Sequence, residues 1–147
     1  SDRMDFLVQE EDLNKIWTLQ FDGSCVTSGC SAGAVLISSE EEIIPLSFKL
    51  HFFNTNNTIE YESLLLGMQV SKERGIKNLK VQGDAELVVN QVKRIYQVKN
   101  ERLRHYRNTV WDNIEEFDDF SIRSIPRVQN DMADSLAISA SLMLPHL

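Results

Sequence analysis

The sequence predicts a single α/β domain built on a mixed β-sheet. Three observations predict it. Residues 16–52 hold three strand-like segments joined by short turns, as in an antiparallel meander. From residue 55 onward, helical periodicity alternates with short apolar strand segments. The chain has 147 residues, one ordinary domain's length, and is 42% hydrophobic and 25% charged, enough to bury a core without staples.

The elements follow in order. Residues 1–15 lack periodicity and read as an N-terminal tail or linker. Residues 16–22 (IWTLQFD) alternate as a strand does, and a Gly/Ser/Cys loop is expected over 23–31. Residues 32–38 give a second strand and 43–52 a third, where Pro45 suggests a sheet edge. Thr55-Asn56-Asn57-Thr58 marks a helix entry, and residues 59–74 carry helical spacing, with Glu60, Leu64, Gly67 or Met68, and Ser71 on one face. Gly75 ends that helix. A strand over 78–84, a short helix over 86–94, a longer helix over 101–117 and a last strand over 120–126 come next. Asn130 is placed as the cap of a final helix running to about Leu142. The domain is thus expected over 16–142, with 143–147 a C-terminal tail. The first residue is Ser1 and the opening stretch is polar and acidic, which reads as a piece of something longer without a secretory leader.

Composition sets further bounds. No stretch approaches the roughly 20 apolar residues needed to span a bilayer, so no membrane role is expected. Cys25 and Cys30 are too few for a disulfide framework, and free thiols in a reducing compartment, cytoplasm or nucleus, are the expectation over a bridge across a hairpin loop. The net charge of −7 is unevenly spread: residues 72–107 hold ten Lys/Arg against four Asp/Glu, and the remainder five against eighteen. A basic segment on an acidic body suits either a solvated helix face or a groove that tracks phosphates.

The placement of four acids carries the functional reading. Asp22 and Asp84 each end an apolar strand, where burial is expected and a carboxylate is a poor resident. Glu60 shares the core-facing side of its helix, and Asp134 sits one turn into the last helix beside an apolar run. Each acid alone has a structural explanation as a turn residue, a cap or a first-turn charge. Together they read as carboxylates converging on one point, where repulsion and lost hydration call for a divalent cation. Hard oxygen ligands suit magnesium or manganese.

Four segments also resemble a known family. Phe21-Asp22-Gly23-Ser24, Thr55-Asn56-Asn57-Thr58-Ile59-Glu60-Tyr61, Gly83-Asp84-Ala85-Glu86-Leu87-Val88 and Asn130-Asp131-Met132-Ala133-Asp134 are similar to the successive motifs of type 1 ribonucleases H. The resemblance runs from about Trp17 to Ala140. Within the family it resembles most the ribonuclease H domain of plant gypsy-class retrotransposon polyproteins, through Trp17-x-x-x-Phe21-Asp22-Gly23 and Val88-Val89-Asn90-Gln91; plant cellular ribonuclease-H-like proteins look similar too. It implies a ribonuclease-H-like fold with a five-stranded sheet, three strands antiparallel and the others parallel, flanked by helices. It implies an endonuclease that hydrolyses the RNA strand of an RNA–DNA hybrid, with two Mg²⁺ ions (Mn²⁺ as substitute) about 3.5–4 Å apart. Asp22 would bridge both ions, Glu60 and Asp84 would complete one site, and Asp134 the other. Reverse transcriptase and integrase domains of one polyprotein are the implied covalent partners.

The same resemblance implies substrate contacts. Thr55 would hold a DNA phosphate, Asn56 and Asn57 would reach the minor groove, and Ser24 and Cys25 would approach through main-chain groups. Lys93, Arg94 and Lys99 are the candidates for phosphate contact in the basic segment. The chain departs from the family at Ala85, where Ser is common, at Glu86, where relatives carry a Gln that contacts the hybrid, and at Arg127, where many bacterial relatives carry a mobile His. Ala85, Glu86 and the net charge support an alternative reading, a weakly active or inactive binding or tether domain. An integrase-type core shares the fold but ordinarily ends on a Glu where this chain has Asp134.

Overall fold

The computed structural model describes residues 15–27, 29–50 and 55–135. The expected tails, the end of the third strand past residue 50 and the last helix past residue 135 lie outside the described residues. The elements are β1 (Ile16–Val26), β2 (Gly29–Ile37), β3 (Ile43–Leu50), α1 (Asn56–Glu73), β4 (Asn78–Gly83), α2 (Glu86–Val92), α3 (Glu101–Ile114) and β5 (Asp119–Ser124). A 3₁₀ turn at Arg127–Asn130 leads straight into helix at 131–135.

One five-stranded sheet runs in the order β3-β2-β1-β4-β5. The first three strands form the antiparallel meander, and β4 and β5 run parallel to β1. This is the mixed sheet of a ribonuclease-H-like fold. β3 lies at an edge, where Pro45, which has no N–H, costs the ladder least. The parallel step from β1 to β4 is made possible by α1, which packs on β1 and β2.

Of the residues expected as a loop over 23–31, 23–26 and 29–31 are strand instead. β1 and β2 pair without a break from Thr18↔Ile37 out to Val26↔Gly29, leaving only the tip to turn. Small and polar residues suggested a loop, but a long two-stranded register satisfies their backbone groups better than solvent-exposed irregular chain. α3 ends at Ile114 rather than at Phe117, because a turn from Phe117 N–H to the Ile114 carbonyl redirects the chain into β5.

The core lies between the sheet and α1, α2 and α3. Leu19, Phe21 and Leu36 from the sheet meet Tyr61, Leu64 and Met68 of α1, with Val88 of α2 and Val110 of α3 completing the layer. α1 starts where Thr55 caps it: its hydroxyl accepts from Thr58 N–H while Thr58 Oγ1 accepts from Thr55 N–H. It stops at Gly75, whose φ of +76° is a left-handed conformation that costs glycine little. Inside the core, Tyr61 O–H donates to Gln91 Oε1 at 2.7 Å, and the Tyr61 ring stacks on Tyr106 at 5.7 Å. This bond ties α1 to α2 and pays the desolvation of a buried hydroxyl.

Candidate metal and substrate site

β1 and β4 are parallel neighbours, and their pairing ends at Phe21↔Gly83. An acid follows on each side: Asp22, which lies within β1 and not at a strand end as expected, because β1 runs on beside β2, and Asp84, the first residue past β4. The two stand side by side where the β1–β4 ladder stops. α1 crosses the same end of the sheet and presents Glu60. Carboxylate oxygens of Asp22, Glu60 and Asp84 lie within 4.8 Å of one another, close enough to share a cation. Asp134, on the helix at 131–135, is not one of the three acids that lie within that distance, but it lines the same opening as Glu60 and is close enough to Asp22 to raise its pKa.

The electrostatics of this corner are unfavourable without a counter-charge. Asp22 is fully buried, and its Oδ2 has no hydrogen-bond partner among the described residues. Burial above all, with the neighbouring Asp134 and Asp84, pushes the Asp22 carboxyl up to about 7. Burial, then the charge of Asp22, pushes Glu60 up to about 10. The backbone N–H of Gly23 serves both, donating to Asp22 Oδ1 at 2.9 Å and to Glu60 Oε2 at 3.1 Å. On the other side, Arg127 Nε donates to Asp84 Oδ2 at 3.1 Å, and Asn130 Nδ2 to Asp84 Oδ1 at 3.2 Å. A buried carboxylate oxygen without a partner among the described residues, set beside Glu60 and Asp84, fits a divalent cation with hard oxygen ligands.

A 320 Å³ cavity opens onto this corner, lined by Gly23, Ser24, Cys25, Asn56, Glu60, Arg127 and Asp134. Several of the expected contact residues therefore meet at one opening. Others do not. The Thr55 hydroxyl is engaged in the α1 cap, and Asn57, half-buried, is not in the cavity lining. Lys93 and Arg94 lie past the far end of α2, both exposed, and Lys99 follows in the connection to α3. The Arg94 guanidinium sits 3.8 Å from the Trp111 ring centroid, and that of Arg107 4.1 Å from the same ring. Two guanidinium groups that close cannot share one face, so they sandwich the indole. Arg104 donates to the carbonyls of Val98 and Lys99, and Lys72 pairs with Glu116. Much of the basic segment thus holds α3 in place. Glu86, on the first turn of α2, is exposed, and its side chain makes no hydrogen bond or ion pair with a described residue.

Two expectations are corrected here. Cys25 and Cys30 are joined by a disulfide, not free. The cause is the long hairpin, which sets Cys25 directly opposite Cys30 with their Cα atoms 4.1 Å apart. The free-thiol argument for an intracellular compartment falls with it. Asn130 does not cap the last helix with its side chain: it is fully buried, and its amide donates to the Phe21 carbonyl at 2.9 Å as well as to Asp84. The motif at Asn130 was visible in the sequence, but an Asn before a helix signals a cap far more often than a tertiary bridge. Among the described residues, no helix is long and apolar enough to cross a membrane.

A family model described as "Reverse transcriptase-like" matches residues 20–140, which takes in all four acids. The chain belongs to the reverse transcriptase-like family. Its relatives in this family include ribonucleases H. Ribonuclease HI of Halobacterium salinarum is 30% identical over 110 residues, covering 75% of this chain and 55% of that protein. The chain thus spans just over half the length of that curated relative. The crystal structure of RNase H1 from the same archaeon superposes with a TM-score of 0.81 at 28% identity, covering 85% of this chain and 96% of that one. LC11-RNase H1, solved in complex with an RNA/DNA hybrid, shares the fold with a TM-score of 0.76 at 24% identity, covering 84% of this chain and 95% of that one. In this reverse transcriptase-like domain Asp22 stands on β1, Asp84 just past the neighbouring parallel strand β4, Glu60 on α1 and Asp134 on the helix at 131–135.

Proposed function

We propose that this reverse transcriptase-like domain is a metal-dependent endonuclease that hydrolyses the RNA strand of RNA–DNA hybrids. The observation that carries the reading is the acid cluster itself, three carboxylates within 4.8 Å with a buried, unpartnered oxygen on Asp22. The similarity to ribonucleases H supports the choice of substrate.

Asp22, Glu60, Asp84 and Asp134 would hold two divalent ions, Mg²⁺ with Mn²⁺ as substitute. Bound there, the ions would supply an acidified water at neutral pH and compensating charge for the phosphate. The chain's own residues prepare that ground. Gly23 N–H aims two carboxylates at one point, and the strand ends hold Asp22 and Asp84 a fixed distance apart. Arg127, largely exposed at the cavity rim, would meet a phosphate with its guanidinium. Ser24, Cys25 and Asn56 line the same opening, and Asn56 and Asn57 at the head of α1 would face the minor groove, where the 2′-OH marks RNA. The family description and the Trp17 to Gly23 segment support a setting in a retroelement polyprotein beside reverse transcriptase and integrase domains.

The test is cleavage of an end-labelled hybrid with Mg²⁺, with Mn²⁺ and with a chelator, beside RNA duplex, DNA duplex and single-stranded RNA. Cutting of the hybrid RNA strand alone, abolished by the chelator, is the expected result. An uncut hybrid at every metal concentration, with binding retained, would establish the tether reading instead.

Glu86 gives that second reading its one specific observation. It is exposed and unpaired among the described residues, two positions past Asp84. An ionised carboxylate only accepts hydrogen bonds and repels a phosphate backbone within a screening length of about 10 Å at 0.1 M salt. Glu86→Gln is therefore expected to tighten hybrid binding severalfold, most visibly at low salt. Binding that is unchanged or weaker across a salt series retires the repulsion idea.

A further inference from the structure

The bridging amide of Asn130 has a role beyond packing. We propose that Asn130 is a positioning residue that sets the metal-binding geometry of Asp84 and anchors the helix that brings Asp134 to the cluster. This inference rests on the metal reading of the acids.

The amide's orientation is decided by chemistry. Its Nδ2 lies 2.9 Å from the Phe21 carbonyl oxygen and 3.2 Å from Asp84 Oδ1, and both partners are acceptors only. The nitrogen must face them, and its two hydrogens match the two acceptors. Phe21 and Gly83 are the last residues paired between β1 and β4, so this one side chain joins the two strands where their ladder stops. Asp84 Oδ1 is thereby turned toward Asn130. The amide oxygen, also buried, has no partner among the described residues, so the residue is held in place for what it donates.

Position in the chain adds the second half. Asn130 ends the 3₁₀ turn that packs on β1 and β4, and Asp134 follows one helical turn later, on the same side. Fixing Asn130 to the strand ends fixes the azimuth of that helix and so the approach of Asp134 to Asp22. Ala removes both donors. Ser keeps one hydroxyl, which is too short and has one hydrogen for two acceptors.

Mn²⁺ and Mg²⁺ binding, measured by calorimetry without nucleic acid and well below each protein's melting point, tests this. Asn130→Ala should weaken metal affinity roughly 10–100-fold, as loss of an outer partner does at other metal sites. Asn130→Ser should fall between, and stands in if the Ala protein does not fold. In an Asp84→Asn background the Asn130 substitution should add less than half of that loss, because the two act in series. Cleavage at saturating metal should recover toward the parental rate, placing the defect in metal occupancy. A folded Asn130→Ala or Asn130→Ser protein that binds metal within twofold of the parent, with only its melting temperature lowered, overturns the proposal and leaves a packing role. A parent that binds neither ion overturns the metal reading and this inference with it, a result distinct from equal binding by parent and variant.

Discussion

Asp22→Asn is expected to remove hybrid cleavage while making the metal-free protein at least as stable as its parent. The two effects have one cause. Asp22 is fully buried among Glu60, Asp84 and Asp134, and its carboxyl is held up to about 7. The amide keeps the shape and drops the charge. Activity should fall by more than the roughly 10–100-fold that an outer-shell loss costs at a metal site, since a ligand itself is gone. For stability, the sign follows from proton binding. Asp22 and Glu60 both bind protons more tightly in the folded chain than their ordinary values of 3.8 and 4.5. Their contribution to stability is complete below those values and is lost as pH rises, through about 7 for Asp22 and about 10 for Glu60. In chelator, the parent's melting temperature should therefore decline between pH 5 and roughly pH 8 beyond what the variant shows. Adding Mn²⁺ should raise the parent and leave the variant nearly unmoved, because only a protein that binds the ion is stabilised by it. Parental cleavage by Asp22→Asn refutes the mechanism; a variant less stable than the parent in chelator refutes the repulsion account.

Phe21→Ala carries the largest expected cost in stability. The ring is fully buried, and it fills the space that a side chain at position 83 would otherwise take: a Cβ built on Gly83 would lie 2.5 Å from Phe21 Cε1. Gly83 cannot grow to refill the space through the same mutation, so a cavity remains. Loss of a buried Phe costs about 3–5 kcal/mol, and a drop in melting temperature on the order of 10–15 °C follows for a domain of this size. The damage should reach the site, because Phe21 precedes Asp22 and its carbonyl is the anchor for Asn130. Denaturant unfolding measures the first effect, and Mn²⁺ affinity at 15 °C measures the second. A cost under 1 kcal/mol would mean that neighbouring side chains collapse into the space and that the β1 to β4 contact is not the rigid base of the site.

The sequence by itself determined the order of elements and singled out Asp22, Glu60 and Asp84, the three acids that the fold brings together. Acids at positions 22 and 84, each directly after an apolar strand-like run, are anomalies visible without coordinates, because an unneeded buried carboxylate is costly. The helix capped by Thr55 and closed at Gly75 was equally legible, since caps and left-handed turns are local chemistry. Only the tertiary structure decided the pairings. Residues 23–26 and 29–31 look like loop by composition, and their strand state comes from the partner across the hairpin, as does the Cys25–Cys30 bridge. The Arg127 pair with Asp84 and the bridge from Asn130 join residues more than forty positions apart. Nothing in a local pattern encodes such contacts: they depend on two strand ends and a helix start being brought to one corner, where buried donors and acceptors must find each other or be lost to desolvation.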